Sequence, residues 1–99
     1  MNLKKWGCQF DGFYTSPQAL MEKPGVYVIW CNEGKSWYVI EAGEAENVKE
    51  FVFNLACEEY LPQKCKGTIY YSAAYTPEIE QTERKKIVEM IKKSAQLSD

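Results

Sequence analysis

The sequence predicts an α/β (α+β) sandwich in which helices flank a small, mainly antiparallel sheet of three strands. Two apolar runs rich in β-branched and aromatic residues, 26–31 and 37–42, flank a polar turn at 32–35. A helical pattern follows the second run, and a third apolar run at 68–75 precedes a charged final helix. Helices on the faces of the sheet would bury its apolar surface, so the expected order is α-β-β-α-β-α.

The first predicted helix is short. Thr15 and Ser16 supply hydroxyl caps before Pro17, and the helix continues over 18–21 until Pro24 and the following glycine break it. The apolar run 26–31 is nearly continuous, which is typical of a strand buried on both faces. Asparagine and glycine in the next turn tolerate positive φ, so the first two strands should pair as an antiparallel hairpin.

Two longer helices are predicted from apolar spacing and charge order. Between residues 45 and 60, apolar side chains recur at three- and four-residue spacings, which places them on one helix face. A loop over 61–67 leads to the third strand. The last helix should open at Thr76 and Pro77, with acidic residues early and basic residues late, an order that complements the helix dipole.

The composition indicates one globular domain that spans residues 1–99. The chain has 99 residues, of which 45% are hydrophobic and 26% are charged. No apolar run approaches the roughly 20 residues that cross a bilayer, and the lysines near the start precede no apolar stretch of signal-peptide length. We therefore expect a cytoplasmic protein that does not enter a membrane.

The cysteine and histidine counts restrict the chemistry. The chain has four cysteines and no histidine, and no cysteines are spaced as C-x-x-C, so the pattern does not favour structural zinc. We expect reduced, structural thiols, in keeping with a cytoplasmic address. Without histidine, Ser-His-Asp and Cys-His nucleophile systems are excluded. The cysteines are Cys8, Cys31, Cys57 and Cys65.

The charge balance disfavours constitutive nucleic-acid binding. The net charge is −2, whereas most nucleic-acid binders carry a basic patch that neutralises phosphates. The basic residues that would form a local patch are Lys4, Lys5, Arg84, Lys85, Lys92 and Lys93. On the last helix, the alternative is a solvated face matched to the dipole.

The aromatic residues of the strands have two interpretations. They either stack on nucleic-acid bases or pack within and across the strands, and packing is the more frequent role in a small sheet. These residues are Trp30, Trp37, Tyr38, Tyr70 and Tyr71.

Short motifs along residues 10–93 resemble the GIY-YIG endonuclease superfamily in their order. They are Gly25-Val26-Tyr27, Glu41-Ala42-Gly43-Glu44, Asn47-Val48, Cys65-Lys66-Gly67-Thr68-Ile69-Tyr70-Tyr71, and Thr76-Pro77 followed by Arg84-Lys85-Lys86-Ile87. The second motif is similar to a variant subgroup in which an Asp/Glu-x-Gly-Glu sequence replaces Tyr-Ile-Gly.

The resemblance implies phosphodiester hydrolysis by three kinds of side chain. A tyrosine helps to activate water, an arginine stabilises phosphate charge, and a glutamate holds one divalent metal ion. Tyr27 matches the first tyrosine, while the second aligns with Glu41, three residues after Tyr38. The arginine aligns with Phe51 and the glutamate with Val88, and neither side chain can perform the role.

We therefore expect a degenerate GIY-YIG-like domain that acts as a non-catalytic binding or regulatory module without a cofactor. Its partner would be a protein, a peptide or a small molecule. The expected remnant of the pocket comprises Tyr27, Tyr38, Glu41, Gly43, Glu44 and Arg84, and Phe51 and Val88 would make it apolar.

Two alternatives remain open. The first is an active endonuclease with a shifted site formed by Tyr27, Arg84 and Glu89, in which Glu44 or Glu89 would bind Mg²⁺ or Mn²⁺. The second is non-catalytic nucleic-acid binding through the basic residues at both ends of the chain.

Overall fold

Five antiparallel strands form one sheet in the computed structural model, which describes residues 2–58, 60–76 and 78–95. The order across the sheet is β1-β2-β5-β3-β4. The sheet curls into a half-barrel, and irregular pairing in β2 and β4 adds to its twist. The strands are β1 (Asn2–Lys5), β2 (Cys8–Tyr14), β3 (Gly25–Glu33), β4 (Ser36–Ala45) and β5 (Thr68–Tyr75).

Within the described part of the chain, three α-helices accompany the sheet: α1 (Val48–Ala56), α2 (Tyr60–Gln63) and α3 (Gln81–Ser94). Helix α1 begins after Asn47, whose side-chain oxygen accepts a hydrogen bond from the backbone N–H of Glu50 at 3.1 Å. Before β3 the chain makes a 3-10 turn over Pro17–Ala19.

The predicted three-stranded sheet and its α-β-β-α-β-α order are wrong. The sheet has two further strands, β1 and β2, and the first predicted helix is only the 3-10 turn. Strand β1 has four residues, too few to give a clear alternating pattern. The turn at Trp6 and Gly7 has positive φ at both positions, 54° and 76°, as a two-residue hairpin turn requires. Gly7 was the feature of the sequence that could have predicted this hairpin turn.

The start of the last helix also differs from the prediction. Thr76 lies in the connection after β5, Pro77 lies outside the described residues, and α3 begins at Gln81. The acidic and basic residues keep their expected order, because Glu83 lies in the first turn while Lys92 and Lys93 lie in the last.

Strand β3 lies inside the sheet and contributes side chains to both layers of the core. It pairs with β4 on one side and β5 on the other, and all residues from Gly25 to Cys31 are buried, as the apolar run predicted. Alternate side chains of a strand face opposite sides of the sheet. One layer, which we call the α1 face, includes Tyr27, Ile29 and Val52. The other, the α3 face, includes Val28, Trp30 and Ile91.

A disulfide joins Cys31 to Cys65, so the prediction of reduced thiols is wrong for this pair. The bond links β3 to the loop before β5 across a sequence separation of 34 residues. Sequence spacing could not reveal this pair, because the contact depends on the pairing of β3 with β5. Cys8 and Cys57 are free, and Cys57 is exposed.

Within the described residues, no helix has the length and apolar character that a membrane crossing requires.

We expect the double substitution Cys31→Ala and Cys65→Ala to lower the free energy of unfolding by about 4 kcal/mol, because the unfolded chain regains the entropy of a closed loop of this length. Urea unfolding of protein refolded under oxidising conditions measures the change.

The matched control is Cys57→Ala, which removes an exposed free thiol and should leave the free energy of unfolding unchanged. Equal stability of the double variant and the wild type would contradict the structural role of the disulfide.

Candidate functional site

The motif tyrosine packs against the helix position where the resemblance implies an arginine. Tyr27 extends from β3 onto the α1 face and is only 5% exposed. Helix α1 brings Phe51 to it, with 5.6 Å between ring centroids and an interplanar angle of 32°. Phe51 itself is 47% exposed. An apolar ring therefore covers the tyrosine on the side of α1.

Gly43 provides the room for this tyrosine. It pairs with Tyr27 across β3 and β4. A Cβ atom at residue 43 would lie 2.5 Å from Cζ and 2.9 Å from Cε2 of Tyr27, which is closer than real contacts allow. The motif glycine is thus required by the close approach of the ring, and the structure brings Tyr27, Gly43 and Phe51 together.

Val88 does not join this group. It lies on α3 and packs in the core of the α3 face with Val26 and Val28, on the opposite side of the sheet from Tyr27. The expected cleft lined by both Phe51 and Val88 is therefore not formed. Glu89 follows on the same helix, beside Lys85 and Lys92, at a shallow cavity of 370 Å³. The shifted arrangement of Tyr27 with Glu89 is likewise not assembled.

Arg84 is buried in an ion network that fastens α3 to the end of β4. Its Nε donates to Glu44 Oε1 at 3.0 Å, and its Nη2 donates to Glu46 Oε1 at 2.5 Å. Its Nη1 donates to the carbonyl oxygen of Ile79 at 2.8 Å. Burial lowers the pKa of Arg84, but the hydrogen bonds and charges of the two glutamates outweigh this effect and raise the pKa overall. These hydrogen bonds hold the guanidinium inside the protein.

Both carboxylate oxygens of Glu44 also accept hydrogen bonds from α3. One oxygen binds Arg84, and the other accepts a hydrogen bond from Gln81 Nε2 at 3.2 Å. Across the described residues, no three histidine, cysteine or acidic side chains are grouped so that they could hold a metal ion. The arrangement of Glu44 fits a structural contact with α3 better than a metal ligand.

Tyr38 and Glu41 lie farther along β4. The Tyr38 hydroxyl donates to Glu33 Oε2, and this hydrogen bond is the main reason that the pKa of Tyr38 is raised. Tyr38 pairs with Cys31, about 13 Å along β3 from Tyr27. Glu41 is half-buried opposite Ile29, and its Oε1 accepts the backbone N–H of residue 42. The expected pocket residues thus spread along the hairpin.

The predicted basic residues come from two separate parts of the fold. Lys4 and Lys5 lie on β1, at one edge of the sheet. Lys85, Lys92 and Lys93 lie on α3, which packs on β3 and β4 at the other side. Their positions do not indicate one continuous basic surface.

The structure also reveals a larger cavity that sequence reasoning missed. We call it the aromatic groove. It has a volume of 690 Å³ and is lined by residues of all five strands around Trp30 of the α3 face. Its lining residues are Leu3, Lys5, Gly12, Phe13, Tyr14, Trp30, Trp37 and Tyr70.

Only some of the aromatic side chains in the strands have the buried packing role that we expected. Trp30 and Tyr71 are buried, whereas Trp37 is 46% exposed and Tyr70 is half-buried. Trp30 and Tyr70 are direct cross-strand partners, which places both on the same face. This pairing was unpredictable because it depends on β5 lying beside β3, which spacing along the chain does not reveal.

We expect Arg84→Met to lower the free energy of unfolding by about 2 kcal/mol, a value between the costs of breaking exposed and buried ion pairs. The side chain of Glu44 is only 13% exposed, and the substitution leaves its carboxylate without a cation. Urea unfolding measures the loss.

The matched control is Glu46→Gln, because the side chain of Glu46 is 74% exposed and a surface pair contributes less than about 1 kcal/mol. Equal small costs for both variants would show that the network does not hold α3.

We expect Gly43→Ala to lower the free energy of unfolding by about 1–3 kcal/mol, since the new methyl group displaces the Tyr27 ring. A double-mutant cycle tests the cause, because the same substitution should cost little in a Tyr27→Ala background. An unchanged cost in that background would assign the effect to the backbone rather than to the ring.

Comparisons of the chain with protein-family models, with curated proteins and with solved structures found no match.

Proposed function

We propose that this chain is a non-catalytic binding module with a GIY-YIG-like hairpin, and that it binds its ligand in the aromatic groove rather than beside the motif tyrosine. The observation that carries the proposal is the contact of Tyr27 with Phe51. Tyr27 is the one tyrosine that the sequence retains at a position implied by the resemblance, and an apolar ring lies beside it.

Two further observations support the absence of phosphodiester chemistry. Phosphoryl transfer needs a cation and a metal-bound carboxylate placed at the reacting phosphate. Arg84 is buried against Glu44 and Glu46, and the helix that carries Glu89 packs on the α3 face. Neither residue shares a surface with Tyr27.

The groove supports the choice of a small-molecule ligand over a protein or peptide. Ligand sites are concave, mainly apolar and usually between about 300 and 1,000 Å³. The aromatic groove has this size and is lined mostly by aromatic and aliphatic side chains.

The disulfide also bears on the cellular compartment of the protein. Disulfides form and persist in oxidising environments. The bond between Cys31 and Cys65 therefore removes the argument from reduced thiols for a cytoplasmic address.

A cleavage assay tests the loss of nuclease activity. Purified protein is incubated with single-stranded, duplex and branched DNA in the presence of Mg²⁺ or Mn²⁺. We expect no metal-dependent cutting above that of a Tyr27→Phe variant, which keeps the ring and its contact with Phe51 but lacks the hydroxyl.

Metal-dependent cutting by the wild type that disappears in both Tyr27→Phe and Glu89→Gln would contradict the proposal and establish the shifted nuclease site. A Lys35→Gln variant, changed at an exposed residue of the β3–β4 turn, controls for purification and loading.

A further inference from the structure

The walls of the aromatic groove support one another. The Phe13 ring lies 5.6 Å from Trp30, edge to face, and 5.3 Å from Trp37. The Trp37 ring lies 5.0 Å from Tyr70. These rings come from β2, β3, β4 and β5, so the curl of the sheet positions a continuous aromatic surface around an open space.

A single cation lies beside this surface. The ammonium group of Lys5 is 4.9 Å from the centre of the Trp6 ring and 5.9 Å from that of Trp30. Among the described residues that line the groove, Lys5 is the only charged one. It also forms no ion pair with any described carboxylate. The groove therefore complements an anionic group next to a flat apolar one.

The hydrogen-bonding groups of two lining residues are already paired. Trp30 Nε1 donates to the Ser72 hydroxyl at 3.0 Å, and that hydroxyl donates to the carbonyl oxygen of Val28 at 3.0 Å. The Tyr14 hydroxyl donates to Asp11 at 2.7 Å. A nucleobase would lose water from several polar edge atoms, and neither of these two groups is free to replace that water, which weakens binding. An aromatic hydrocarbon ring has no such loss.

We propose that the aromatic groove binds a fused-ring aromatic monocarboxylate, with its rings against Phe13, Trp37 and Tyr70 and its carboxylate on Lys5. One lysine matches one carboxylate, whereas a nucleic acid strand gains affinity from several neutralised phosphates. This inference rests on the proposed function and names the ligand class of the same groove.

Calorimetric titration with three probes tests the ligand class. The probes are 2-naphthoate, 2-naphthylmethanol (the same rings without the charge) and adenosine 5′-monophosphate. We expect 2-naphthoate to bind one site per chain, about five-fold more tightly than 2-naphthylmethanol, because a charge-assisted hydrogen bond to Lys5 is added. Adenosine 5′-monophosphate should bind more weakly than 2-naphthoate.

Three variants locate the site. Lys5→Gln should abolish the preference for 2-naphthoate over 2-naphthylmethanol. Lys4→Gln is the matched control and should keep the preference, because neighbouring residues of a strand face opposite sides of the sheet. Trp37→Ala should weaken both naphthalene probes about ten-fold through lost ring contact, and circular dichroism verifies that each variant folds.

Four binding results would overturn the inference. They are 2-naphthoate binding weaker than about 1 mM, equal affinity for the charged and neutral probes, an unchanged preference in Lys5→Gln, and tighter binding of adenosine 5′-monophosphate. A dimer that Trp37→Ala dissociates would assign the groove to a second copy of this chain and also overturn it. The cleavage assay, which concerns Tyr27 and Glu89, tests the loss of nuclease activity independently of these results.

Discussion

The burial of β3 on both faces and along both edges is the constraint on which the rest of the structure depends. β4 and β5 satisfy its backbone hydrogen bonds, and a layer of side chains covers each face. Because alternate residues face opposite sides, the register of this one strand decides which side chains can meet. Tyr27 is directed to the α1 face, whereas Trp30, three residues later, is directed to the α3 face.

This separation explains why the contact of Tyr27 with Phe51 and the aromatic groove are independent surfaces. Tyr27, Gly43 and Phe51 form a packed contact under α1. Arg84 and Glu44 fasten α3 to the end of β4, and the groove is lined by residues of all five strands around Trp30 of the α3 face. Substitutions in one surface should therefore have little effect on the other, since distant sites without shared partners behave additively.

The sequence predicted the elements with strong local signals. The β3–β4 hairpin, α1, β5 and α3 follow from apolar periodicity and turn residues, and their approximate positions were correct. The hairpin of β1 and β2 was missed because its first strand is too short for a periodic signal. Strand pairing over long distances was also beyond reach. The Cys31–Cys65 bond and the contact of Arg84 with Glu44 both depend on how elements dock, not on spacing along the chain.

The most direct test of the account is a nuclear Overhauser measurement on the aromatic and methyl protons in solution. The account predicts cross-peaks between the rings of Tyr27 and Phe51, and between the methyl groups of Val88 and those of Val26 or Val28. Cross-peaks from Tyr27 to Val88 or Glu89, without those to Phe51, would place α3 over the motif tyrosine and contradict the separation of the two faces.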